Sequence, residues 1–543
     1  MNRQYKRGVD REQGLLLPSR VEDYVAKDNP VRAVYIFIDS LDLKVLGFCN
    51  TEGGISAGQP AYPPKALLKL YLYGFLQGIR SSRKLERECQ RNMEVIWLVE
   101  GLQPSYKTIA DFRKDNLKGI KAVNKDFVLL CKELGLFGGE LVAIDGSFFR
   151  GNVGKKHIYT AERIKKWQEG VDKQIEAYLA ELEQSDAEEV ETEIKGSKIE
   201  EKLEKLRARQ KRNQERLKQM QASGEKQLAE VDKDARILSK NGESVAGYNV
   251  QTVVDKKNKL IVTYEVTRDG NDTQQLAPMA QKAQQVLGVS QLEVVADAGY
   301  YNFDQIKKCK ETNIIPYVPE PNRNALTESQ GRFVRSDFKY QAETDSYICP
   351  AGQTLAHYSQ SVQNGLLRWA YRSRRAVCNL CPLKPRCQSP KSRFRSIYRW
   401  EHEEIIEAYR LRMAKHGRLK MDLRSCLAEH PFGTIKRWCG WDHFLLRGLP
   451  KVSAEMALWM LGYNFKRVLK IFGLEEFEEY CLERARNRLQ EGIFFVFYPF
   501  KRIFTLFLEC VYPIFRPQPF LAYFPSGFLF FAPSPSDTLT VWQ

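Results

Sequence analysis

The chain has 543 residues, 43% hydrophobic and 28% charged, with 84 Lys and Arg against 67 Asp and Glu for a net charge of +17. That balance excludes a disordered chain and a disulfide-stapled miniprotein, and the length exceeds what one core covers, so two to four domains are expected. The cationic excess suits a polyanionic partner, because side chains that neutralise phosphates release condensed counterions.

Met1 to Arg7 is charged and no apolar leader follows, so a cytoplasmic protein is expected. Of the twelve cysteines, four cluster and the others scatter through apolar runs, the usage of a reducing compartment. An apolar helix is expected over Pro30–Ile38, and Gly53, Gly54 and Pro60 then break the pattern. Leu67, Leu68, Tyr71, Leu72, Phe75 and Leu76 recur at the spacing of a buried helix face. A second helix carries Leu85, Cys89, Met93, Ile96 and Trp97, and a third runs from Tyr106 to Asn116 with Ser105 as its N-cap. Their arginines and lysines fit a helix-turn-helix-like DNA module or the solvated face of a helical bundle. Residues 1–135 are read as this helical domain.

Leu141–Ile144 is a short strand ending in Asp145-Gly146, and Leu292–Ala296 is another ending in Asp297-Ala298-Gly299. An Asp at the end of a buried strand is rigidly held, as a metal ligand must be, although turn-capping aspartates occupy the same place. Between them, Ile164, Trp167, Val171, Ile175, Tyr178 and Leu182 form one heptad stripe, and Ile199 to Met220 form a second. The stripes imply an antiparallel helical hairpin over residues 160–235, inserted after the first strand, with Gln210 and Asn213 weakening the seam or setting its register. Tyr248–Asp255 and Leu260–Thr267 read as a β-hairpin about Lys256–Lys259, followed by a helix from Gln274 to Leu287 and a strand at Ile314–Val318. These elements make a mixed α/β sheet, assigned to residues 136–320 and 400–472.

Residues 320–420 read as basic and irregular. Within 335–395, Cys349, Cys378, Cys381 and Cys387 make a four-thiolate set of the kind tetrahedral Zn²⁺ takes, or a compact group of reduced cysteines. A four-Cys site would be structural, since it keeps no open position. Basic residues from Arg410 to Arg424 lead into Glu429-His430-Pro431-Phe432-Gly433-Thr434-Ile435-Lys436-Arg437. Because Pro is best tolerated in a first helical turn, Glu429 is expected near a helix start, with Lys436 on the same face. Taken alone, that Glu equally reads as a helix cap. A last apolar helix is expected from Ser453 to Ile471. The aromatic, Pro-rich segment 473–543 receives no role, and its charges and prolines leave no run long enough for a membrane span.

Four motifs together resemble the DDE transposases of bacterial insertion sequences. They are Ala143–Ser147, Gly247–Thr252, Val295–Tyr300 and Glu429–Arg437, in a resemblance covering about residues 15–472. It implies a ribonuclease-H-like catalytic fold with a helical N-terminal domain, the inserted hairpin and a small Cys-rich, zinc-ribbon-like insertion. It also implies Asp145, Asp297 and Glu429 as ligands of Mg²⁺ or Mn²⁺, with Lys436 and Arg437 on DNA phosphates. The implied partners are terminal inverted repeats and target DNA, bound by a homodimer. The family's tyrosine and arginine, seven and four residues before the Glu, fall here on Asp422 and Ser425, with Arg424 one position off as a substitute phosphate contact. A nuclease of the same fold, or an inactive DNA-binding regulator, are the competing functions.

Overall fold

The computed structural model describes residues 20–51, 60–187, 193–240, 242–322, 324–363, 365–388, 392 and 394–488. The aromatic segment from 493, most of 473–543, lies outside the described residues, as does the Gly53-Gly54 break. The described residues up to Glu478 form one compact unit.

The chain begins with helices α1 (Val31–Asp39), α2 (Pro64–Leu76), α3 (Ser82–Arg91), α4 (Met93–Leu98), α5 (Tyr106–Asp115) and α6 (Leu117–Glu133). Ser105 caps α5 as expected, its Oγ accepting from the Thr108 N–H at 3.2 Å. Strand β1 (Leu141–Arg150) and the short β2 (Ile158–Thr160) follow, then α7 (Ala161–Ala187), α8 (Glu193–Ser223) and β3 (Gln227–Ala229). The stripe residues Ile164, Val171, Leu203 and Met220 are buried, and Gln210 donates to Asp172 at 2.7 Å across the pair. Ile164 meets Met220 while Asp172 meets Gln210, so the two helices run antiparallel.

The main sheet adds β4 (Arg236–Lys240), β5 (Glu243–Asp255), β6 (Ile261–Thr267), β7 (Leu292–Val295) and β8 (Ile314–Tyr317). Strand β5 pairs antiparallel with β1 on one side and with β4 and β6 on the other, while β1, β7 and β8 are mutually parallel neighbours. Helix α9 (Leu276–Leu287) connects β6 to β7, and α10 (Phe303–Glu311) connects β7 to β8. Parallel strands are covered on both faces, and β1 shows how. Val142 and Ile144 join the core beneath α9 and α10, whereas Leu141 and Ala143 pack with Leu427 and Ala428 on the opposite face. Side chains alternate along a strand, so Asp145 shares the face of Leu141 and Ala143, and Gly146 shares the other.

Residues 320–420 depart from the irregular reading. After α11 (Ala325–Ser329), strands β9 (Lys339–Gln341), β10 (Ser346–Ile348), β11 (Thr354–Gln363) and β12 (Leu366–Arg372) form an antiparallel sheet. Two short helices, α12 (Arg375–Asn379) and α13 (Lys384–Cys387), precede its fifth strand, β13 (Ser396–Trp400). Most of β11 is exposed, so its polar residues carry little hydrophobic alternation. Buried Glu403, the first residue of the next helix, ties that helix to the sheet, its carboxylate accepting from the Trp400 N–H of β13 at 3.2 Å. The same carboxylate lies 2.8 Å from Arg335 and 3.1 Å from Arg410.

Helix α14 spans Glu403–Phe432, and a π-helical turn continues it over Gly433–Trp438. Glu429 therefore lies near the end of a 30-residue helix and not at a helix start. Pro431 sits inside that helix, at the cost of one N–H donor. Burial of Leu427, Ala428, Pro431 and Phe432 offsets the loss, and the backbone relaxes into the wider turn directly after it. Helix α15 (Leu449–Phe472) is buried along most of its length. Asn464 on α15 exchanges two 2.8 Å hydrogen bonds with the Ile261 backbone of β6, and Glu455 stands 3.8 Å from Arg113 of α5. The N-terminal helices and the sheet are thus packed through a shared helix.

Candidate active site on β1 and beyond β7

Asp145 lies in the middle of β1, which does not end at the Asp as expected but stays paired to β5 as far as Arg150. Asp297 lies two residues beyond β7, the strand parallel to β1. Both side chains are largely buried, at 14% and 25% exposure. Between them stands the Arg424 guanidinium from α14, its Nη2 3.2 Å from Asp145 Oδ1 and 3.9 Å from Asp297 Oδ2. Two carboxylates so placed would repel, and one delocalised cation relieves both. Asp297 also caps its own turn, accepting from the Gly299 N–H at 2.9 Å.

Glu429 lies five residues after Arg424, a rise of about 7.5 Å along the helix. It is exposed and accepts a 3.2 Å hydrogen bond from Ser425 Oγ. Phe432 packs on Phe149 of β1 with ring centroids 5.9 Å apart, so α14 follows β1 outward past Asp145. At the π-helical turn, Lys436 Nζ donates to Ser147 Oγ and to the Phe148 carbonyl, both at 2.6 Å, and sits 4.2 Å from the Phe149 ring centroid. The next residue, Arg437, is exposed. The structure thus brings Asp145, Asp297, Arg424 and Lys436 to one end of the sheet, with Glu429 on the same helix but hydrogen-bonded to Ser425. Among the described residues, no three His, Cys, Asp or Glu side chains form a ready-made ion cage.

His430, beside the Glu, turns away from the aspartates. Its Nδ1 is 2.8 Å from the Tyr463 hydroxyl, and its Nε2 is 3.3 Å from Arg467. Burial, then the charges of Arg467, Lys259 and Lys470, hold its pKa below the ordinary 6.5. The unfolded chain therefore binds this proton more readily, so the histidine's contribution to stability is complete above about 6.5 and is lost as pH falls through the lower folded value. The urea midpoint is expected to fall from pH 7.5 to 5, and His430→Gln is expected to fall less. Equal falls would remove His430 from the acid response.

Two features escaped the sequence reading. Asp272, in the loop before α9, is 5% exposed and lies under Gly146 on the other face of β1. Asn249 and Gln251, both from a motif assigned no role, donate to its Oδ1 at 2.8 and 2.6 Å. No periodicity marks a loop aspartate, and only its place between Gly270 and Gln274, a turn-rich stretch, was visible.

The four clustered cysteines carry no disulfide, and together they line one small cavity with Phe338, Leu355 and Val377. The Gly352 N–H donates to the Cys349 carbonyl at 2.8 Å, and the Gln353 N–H to Cys349 Sγ at 3.3 Å. Burial raises the Cys387 thiol pKa, while Arg395 opposes that shift. Four sulfur donors are what tetrahedral zinc takes, and in this structure the four thiols line the cavity without forming a ready-made cage.

The fold and site define an α/β protein that gathers carboxylates and cations at one end of a mixed sheet. Residues 209–465 match the family described as "Transposase DDE domain", and residues 19–115 match "Transposase domain (DUF772)". The chain belongs to the DDE transposases of the insertion-sequence type and is a DNA transposase. No protein of curated function matches it. Among solved structures, a cryo-EM structure of the piggyBac transposase synaptic complex with hairpin DNA aligns at 10% identity over 85% of this chain and 82% of that one. Its TM-score is 0.30, too loose a superposition to support an inference about the fold. Among the described residues, no helix is long and apolar enough to cross a membrane.

Proposed function

We propose that this transposase binds the terminal inverted repeats of its element, cuts at their ends and joins the 3′-hydroxyls to target DNA, acting as a homodimer. The observation that carries the reading is the convergence of Asp145 and Asp297 on one cation, Arg424. Hard oxygen donors that already hold a cation suit Mg²⁺ or Mn²⁺, with Glu429 supplying the third carboxylate after turning from Ser425. When bound, the metal would activate water or a 3′-hydroxyl and stabilise the leaving oxygen. In this scheme Arg424 leaves the aspartates for a DNA phosphate, and Arg437 neutralises a neighbouring one. Lys436, anchored on β1, does the same nearer the acids.

The strand order β6-β5-β1-β7-β8, with the first three antiparallel and the last three parallel, supports a ribonuclease-H-like catalytic domain over 136–320 and 400–472. In this division, residues 1–135 present end DNA, 160–235 form an arm, and 335–395 carry a structural zinc on Cys349, Cys378, Cys381 and Cys387. Purified protein is expected to hold about one zinc per chain by elemental analysis. A Cys378→Ser, Cys381→Ser double variant should hold none, and equal zinc in both would end this assignment.

The exposed Glu429, bonded to Ser425, favours a second reading, an inactive DNA-binding regulator. The test mixes the protein with duplexes carrying the element's terminal repeats, supercoiled plasmid and Mg²⁺. Joined products support the transposase reading. Cleavage without joining indicates a nuclease, and binding alone indicates the regulator.

A further inference from the structure

We infer that Asp272 is a positioning residue that fixes Asp145 and Asp297 from behind the sheet. The inference rests on the metal-site reading above and deepens it. Gly146 pairs with Gln251 across β1 and β5, and Phe148 pairs with Asn249, so both amides stand on the face opposite Asp145. Gln251 Nε2 donates to Asp272 Oδ1 at 2.6 Å and to Asn249 Oδ1 at 3.1 Å, and Asn249 Nδ2 donates to the same Asp272 oxygen at 2.8 Å. The Tyr300 hydroxyl donates to Gln251 Oε1, which closes the network onto the turn that Asp297 caps.

Asn249 and Gln251 are fully buried. Buried polar groups in a connected network are costly to leave half-satisfied, so the network has one arrangement. Gly146 is part of it, because a Cβ there would fall 2.4 Å from Gln251 Nε2 and 2.7 Å from Asp272 Oδ1. The absent side chain lets the plate press against the backbone that carries Asp145. Tyr300 does the same for Asp297 three residues earlier. One buried carboxylate thus holds the middle of β1 and the turn after β7 in place, and the Asn-x-Gln motif gains a role.

The test measures Mn²⁺ binding to the full-length protein by calorimetry, beside end cleavage against metal concentration. Asp272→Ala is expected to weaken Mn²⁺ binding by about 10- to 100-fold, the usual cost of losing a group that orients ligands. Asp272→Asn keeps an acceptor oxygen and should bind within about threefold of wild type. Tyr300→Phe, which removes only a hydroxyl, guards against an Asp272→Ala protein that fails to fold and should weaken binding severalfold. Unchanged Mn²⁺ affinity in Asp272→Ala or Tyr300→Phe overturns the inference. So does equal weakening in the Asn and Ala variants, which would make Asp272 a direct ligand. If Asp145→Asn also leaves Mn²⁺ binding intact, the metal-site reading itself has failed.

Discussion

Asp145→Asn should cut end cleavage by about 10³-fold, about 4 kcal/mol of transition-state stabilisation, while leaving affinity for the end duplex within about threefold. The split follows from where the residue sits. Asp145 is only 14% exposed and faces Arg424 and Asp297, so it offers DNA no direct contact but commands the point where a cation is held. Asn keeps the shape and one acceptor oxygen and loses the charge that a divalent ion needs. The folded state should suffer little. The substitution weakens the pairing to Arg424 but also relieves repulsion from Asp297, and the two effects oppose each other. Cleavage of a labelled end duplex in Mg²⁺, with gel-shift affinity and a thermal midpoint on the same preparation, decides the matter. Wild-type cleavage would remove Asp145 from the chemistry. Equal losses of cleavage and binding would make it a structural residue.

Asp145 and Asp297 could be read from sequence because each follows an apolar run, although only Asp297 lies beyond its strand, whereas β1 continues past Asp145 to Arg150. The helical hairpin was legible for a similar reason, since heptad spacing survives even in highly charged helices. Glu429 misled because Pro431 argues locally for a helix start, while the apolar face of Leu427, Ala428 and Phe432 wins through packing on β1. The sheet from β9 to β13 was hidden by its exposure. Thr354–Gln363 has one buried residue, Leu355, so nothing in its polarity alternates. Asp272 was hidden by distance: it meets Gln251 from 21 residues away, through a loop with no repeat. Lys436 was placed by family resemblance, and its tether to Ser147 and Phe148 is information that only the tertiary fold carries.

Gly247→Ala tests the frame on which all of this depends, and it should destabilise the protein by at least about 3 kcal/mol, the upper range for overpacking. Gly247 sits in β5 opposite Arg150 of β1 on one side and Arg236 of β4 on the other. A Cβ there would fall 1.9 Å from the Phe149 carbonyl oxygen and 2.7 Å from the Gly151 nitrogen. Both obstacles are backbone, held by neighbours such as the 2.8 Å hydrogen bond from the Gly151 N–H to the Ala246 carbonyl. Gly462→Ala is the informative comparison. Its Cβ would fall 2.2 Å from Phe75 Cγ and 2.8 Å from Phe75 Cβ, contacts that turning the ring does not relieve. The obstacle is nonetheless one side chain that a new rotamer or a small helix shift can move, not a paired strand backbone. Urea denaturation should therefore rank Gly247→Ala below Gly462→Ala, and Gly247→Ala protein should be scarce in soluble extracts. A Gly247→Ala protein with a wild-type midpoint would mean that β1 and β5 are not joined in this register. A slip of one residue would turn Asp145 to the opposite face of the sheet, away from Arg424 and α14.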